Sequence, residues 1–143
     1  FGERSALLFT DWIRESVAAN KPWNQFVKEL LSARGSLYFN GPASYWAVER
    51  TPNDRAETTG QAFLGVRMQC ARCHKHPFDR WTTDDYWDFS SFHGKVGLRT
   101  VPGGAFGEQE VYYNAGANVR NESVNGPRKG LPARLAFLGE PPL

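Results

Sequence analysis

Apolar residues recur at three- and four-residue intervals through residues 4–94, and proline and glycine divide the pattern into four predicted helices. Arg4 to Ala19 carries a stripe of Leu7, Leu8, Trp12, Ile13 and Val17, with Arg14 and Glu15 turned outward. Asn20-Lys21-Pro22 breaks it. A second helix follows with Asn24 as its cap, Phe26, Val27, Leu30 and Leu31 on its apolar face, and Gly35 as its stop. The two read as an antiparallel hairpin. Thr51-Pro52 is a cap followed by a first-turn proline, and the third helix runs from there through Glu57, Phe63 and Val66 to Cys70. Pro77 stops it. Thr82 caps the fourth helix, with Asp84 and Asp85 at the positive end of its dipole, and Tyr86, Phe89 and His93 share one face, joined by Phe92. Gly94 ends that helix.

The period lapses at both remaining stretches. Residues 36–51 form a loop holding Tyr38, Phe39, Tyr45 and Trp46, too aromatic for a solvated linker. From Lys95 onward glycine and proline are frequent and no helical repeat is sustained. Glu110-Val111-Tyr112-Tyr113 reads as a short strand, with Asn118-Val119-Arg120 as its partner across Ala115-Gly116. Asn121-Glu122-Ser123 fits a glycosylation sequon but adds nothing to this picture. The expected organisation is a helical domain over residues 1–97 and an irregular extension over 98–143. That extension either packs on the domain or bridges to a neighbour.

Composition narrows the classes. The 143 residues suffice for one domain with a real core, and ten Phe, five Trp and five Tyr are ample for it. A net charge of +2 is too slight to argue for nucleic acid or an anionic membrane. No apolar run approaches the ~20 residues of a membrane helix. The chain opens at Phe1 without Met and shows no signal peptide, so it reads as processed or cut from something larger.

The chemistry concentrates in Cys70-Ala71-Arg72-Cys73-His74, which contains both cysteines of the chain. Cys-x-x-Cys-His is the spacing that attaches c-type haem: two thiols join the vinyl groups and the histidine is the proximal iron ligand. On a helix, positions three and four apart share a face, so all three residues can address one macrocycle. Thr59, Phe63 and Val66 extend the same spacing upstream. Phe63 and Trp81 are expected to pack on the haem, and the aromatic loop either closes over it or packs on the hairpin. The predicted fold is mainly α, about four helices around one covalent haem c, with the Gly- and Pro-rich tail holding a short hairpin. Attachment would place the protein outside the cytoplasm, in the periplasm or beyond it.

Other chemistries share the spacing. A thiol redox pair would be preceded by a strand in a βαβ setting, whereas here an amphipathic helix precedes it. A zinc site would use Cys70, Cys73, His76 and His93 and leave His74 without a role. A structural disulfide across two residues removes almost no chain entropy.

The sixth iron position separates electron carriage from small-molecule chemistry. Met68 and His76 stand too near Cys70 and His74 to reach the far face. His93, on a separate helix, has the reach and is the expected distal ligand. The competing reading is a core histidine satisfied by a backbone carbonyl. Arg67, Arg72, Lys75, Arg80, Lys95 and Arg99 surround the motif and are candidates for propionate pairing or for meeting an acidic redox partner.

The run from Phe63 to Thr82, including Arg67-Met68-Gln69-Cys70-Ala71-Arg72-Cys73-His74-Lys75-His76-Pro77-Phe78, resembles a domain of unknown function found in large secreted planctomycete proteins. That domain often stands beside cytochrome-c-like domains. Pro22-Trp23-Asn24-Gln25-Phe26 and Asp85-Tyr86 are similar to it as well, and the likeness covers about residues 4–97. It implies haem at Cys70, Cys73 and His74, a mostly helical fold and export. It assigns no substrate and lends no iron-ligand role to His93.

The expected function is a single-haem electron-transfer module that works with redox partner proteins, as a domain of a longer chain or as one copy in a polymer of itself. The alternatives are a haem enzyme or sensor with an open distal site, and a zinc-stabilised interaction module.

Overall fold

In the computed structural model, which describes residues 2–105 and 107–136, the chain begins with α1 (Glu3–Ala18) and α2 (Trp23–Ser32). The chain breaks between them at Asn20-Lys21-Pro22 as the pattern predicts, and side chains meet across the break. Trp12 stacks on Phe26 with ring centroids 4.6 Å apart, and Lys21 pairs with Glu29. The cap differs from expectation: Pro22 holds the N-cap position and Asn24 lies inside the helix. Leu7 and Val17 of the predicted stripe are exposed.

Next come β1 (Gly35–Ser36), a 3-10 turn at Pro42–Ser44 and α3 (Tyr45–Val48). Trp46 from this aromatic stretch is buried with Leu37, Ala43 and Val111, and Leu31 of α2 packs against the cluster. β2 (Val96–Thr100) and β3 (Gln109–Tyr113) complete an antiparallel sheet ordered β1-β3-β2.

The strand at Glu110–Tyr113 is therefore present with different partners. Gly97 lies opposite Tyr112, and a Cβ there would come 2.5 Å from the Tyr112 ring, so this register uses the missing side chain. Arg120, expected in the partner strand, instead bridges to Pro132.

α4 (Pro52–Thr59) starts where Thr51 accepts a hydrogen bond from the Asp54 backbone N–H, with Pro52 in the first turn. It does not run on to the cysteines. After Thr59 the backbone widens into a π turn over Gly60–Leu64, and Gly65 ends it in the left-handed region at φ +67°. Only glycine enters that region without a steric cost, which is why the chain turns here. The predicted stripe from Phe63 to Cys70 is broken at this residue.

α5 (Thr83–Gly94) carries a full capping box, Thr82 and Asp85 each satisfying the other's backbone N–H. Among the described residues there are five α-helices and three strands, and no helix is long and apolar enough to cross a membrane.

The chain forms two compact units that interleave along the sequence. Among the described residues, one combines 2–50 with the stretch from Val96 to Tyr113, and the other combines Thr51–Lys95 with 114–136. The second unit has its own core of Ala56, Met68, Ala71, Trp81, Tyr86, Trp87, Phe89 and Val119.

Candidate functional site

Cys70 lies in a 3-10 turn, Met68–Arg72, with Cys73 as its C-cap. Three residues per turn place positions three apart in one row. Met68 and Ala71 form the inward row, 1% and 0% exposed, and belong to the core of their unit. Cys70 and Cys73 form an outward row, and both are exposed free thiols. A buried methionine thus anchors the turn that presents both cysteines on the same side. Trp87 of α5, fully within the core, donates its indole N–H to the carbonyl of Arg72 at 3.2 Å, between the two cysteines.

His74 is exposed, and its Nδ1 lies 2.7 Å from the carbonyl of Lys75. A carbonyl only accepts, so Nδ1 carries the proton and the Nε2 lone pair is the one left for a ligand. The acceptor that orients this ring is thus the carbonyl of the adjacent residue. His76 staples the following loop. Its backbone N–H donates to Trp81 O at 2.9 Å, its Nδ1 accepts from Phe78 N–H at 3.3 Å, and its Nε2 donates to Arg67 O at 3.0 Å.

His93 occupies the core of the second unit at 4% exposure. Nδ1 lies 3.3 Å from Phe89 O, Nε2 lies 3.1 Å from Thr59 Oγ1, and the Phe89 ring meets the imidazole edge-on. Both ring nitrogens are engaged, and iron ligation would have to break one of those contacts. The geometry is that of the satisfied core histidine. The four zinc candidates are not gathered, since no three His, Cys, Asp or Glu able to hold a metal stand together among the described residues.

Trp81 is buried with the Arg80 guanidinium 4.5 Å above its ring, and its indole N–H has no acceptor among the described residues. Phe63 is half-buried at the π turn. Of the surrounding cations, Lys95 is committed to the carbonyls of Ala115 and Ala117, and Arg99 to Glu110. Arg67, Arg72 and Lys75 remain exposed beside the motif. Tyr86 donates to Glu57 at 2.7 Å, and burial together with that carboxylate pushes the phenol well above its usual range.

The chemistry of the donor set fits a covalent haem. Two unpaired thiols share one outward row, and the following imidazole keeps Nε2 open. Sequence reasoning missed Trp87, whose signal is weak because α5 buries residues on nearly every side. It also missed Asn121, whose buried amide donates to Asp84 Oδ1 at 2.9 Å, an arrangement with no room for a glycan.

Residues 2–97 match the family described as Protein of unknown function (DUF1549), PSCyt2. No curated protein and no solved structure matches the chain.

Proposed function

The chain belongs to the DUF1549 family, and from that premise we propose that it is a single-haem c-type cytochrome module carrying electrons in the periplasm or outside the cell. The observation that carries this reading is the outward row of Cys70 and Cys73, anchored by Met68 and Ala71 and followed by a histidine with Nε2 open.

Cys70 and Cys73 would hold the haem by thioethers and His74 would be its proximal ligand; bound there, the haem supplies a reversible one-electron couple. Lys75 fixes the orientation of the His74 ring through its carbonyl, as a ligating histidine requires. Trp87 holds the backbone between the thiols. Trp81 contributes a donor for a carboxylate, and Phe63 contributes apolar surface. Arg67, Arg72 and Lys75 form a basic patch suited to an acidic redox partner.

The engagement of both His93 nitrogens favours a second reading, a haem enzyme or sensor whose sixth position is open. Carbon monoxide separates the two, because it binds a reduced open site far faster than a six-coordinate one.

The test is production of the full chain in a host with haem-attachment machinery, followed by denaturing electrophoresis and visible spectra. Covalent haem should survive denaturation, and Cys70→Ser or Cys73→Ser should leave at most one thioether and far less holoprotein. Normal covalent haem in both variants would overturn the proposal.

A further inference from the structure

A pocket of about 430 Å³ opens beside the motif, inside the second unit. Its size falls within the roughly 300–1,000 Å³ of small-molecule sites. Cys73, His74 and Lys75 form one wall, and Thr82, Thr83 and Asp84 at the start of α5 form a second. The third wall is Asn125, Gly126 and Pro127. These three lie beyond residue 97, where the family match ends.

The third wall is built into the fold by buried contacts. Asn121, 2% exposed, ties the tail to α5 through Asp84 and accepts from Ser123 N–H at 3.0 Å through its side-chain oxygen. Its backbone pairs with Leu131 and Gly130, at 2.9 and 2.6 Å. Asp88 of α5, 2% exposed, accepts from the Arg134 backbone N–H and from Arg134 Nε, each at 2.7 Å, and from Arg128 at 3.4 Å. Gly126 approaches so closely that a Cβ would stand 2.2 Å from Ser123 Oγ and 2.9 Å from Thr83 Oγ1. A tail that merely drifted over the surface would not require a glycine there.

We propose that this pocket receives the part of the haem macrocycle joined to Cys73, and that Asn125, Gly126 and Pro127 are positioning residues that shield this edge from water. The inference rests on the cytochrome reading and extends it, because it makes the tail part of the cofactor site. Cys70 does not line the pocket, so the two thioether edges would differ in exposure.

Hydrogen exchange tests it on the full chain, comparing holoprotein with the haem-free Cys70→Ala/Cys73→Ala variant. The amides of Asn121, Lys129 and Gly130 should exchange at least about tenfold more slowly with haem present, while those of the β2–β3 ladder in the other unit stay unchanged. In a second arm, Asn125→Trp fills the pocket and should lower covalent haem per chain severalfold, with far-ultraviolet circular dichroism unchanged. Equal exchange in both forms, or full haem loading in a folded Asn125→Trp chain, overturns the inference and leaves the cytochrome reading intact. If Asn125→Trp does not fold, the exchange comparison decides alone. A wild-type chain without covalent haem refutes the cytochrome reading itself, and this inference with it.

Discussion

Substituting His93 by Gln tests whether this histidine belongs to the core or to the iron. Burial pushes the imidazole down from 6.5 to about 4, opposed by the Phe89 carbonyl and reinforced by the nearby charge of Arg55. With the folded value depressed, the unfolded chain takes up the proton first as pH falls. The stability tied to the neutral ring is therefore fully present above 6.5 and is lost as pH drops toward about 4. At about 1.4 kcal/mol per pH unit, the gap from 6.5 to about 4 corresponds to roughly 3 kcal/mol. Gln keeps a polar group near Thr59 and does not titrate. Urea unfolding of both proteins from neutral to acid pH should show the wild-type advantage shrinking by roughly 3 kcal/mol. A constant difference across the range would refute the reasoning. In holoprotein, a core His93 leaves the spin state unchanged on substitution, whereas a shift to high spin would put it on the iron.

Met68→Ala removes the fully buried anchor under the cysteine turn and should cost ~2–5 kcal/mol in chemical denaturation, without changing the iron spin state. Thr82→Ala breaks the capping box of α5 and should cost about 1 kcal/mol, while Thr82→Ser should restore most of it.

The starts of α4 and α5 were readable because their chemistry is local. Thr51 with Asp54, and Thr82 with Asp85, satisfy backbone donors three residues away, and that spacing is visible in the chain itself. The end of the third helix was not readable in the same way. Gly65 looks like an ordinary interior glycine until the chain is seen to reverse there. Phe63, counted as one step of a continuous stripe, instead sits half-buried on a widened turn.

The sequence alone determined the motif, because Cys-x-x-Cys-His is a local spacing that can be read without the rest of the fold. It also determined that α1 and α2 are separate helices, since Asn20-Lys21-Pro22 interrupts one amphipathic pattern and another begins at once. Tertiary structure decided which way the motif faces, through Met68 and Ala71 packing inward. It decided the partners of Glu110–Tyr113, which pair with Gly35–Ser36 and Val96–Thr100 across separations that no periodicity encodes. It also made residues 121–134 part of the unit that holds the cysteines, through Asp84 and Asp88 contacts to residues about forty positions away. Local hydrogen bonding leaves a repeat in the sequence, but long-range pairing depends on burying two distant segments together and leaves none.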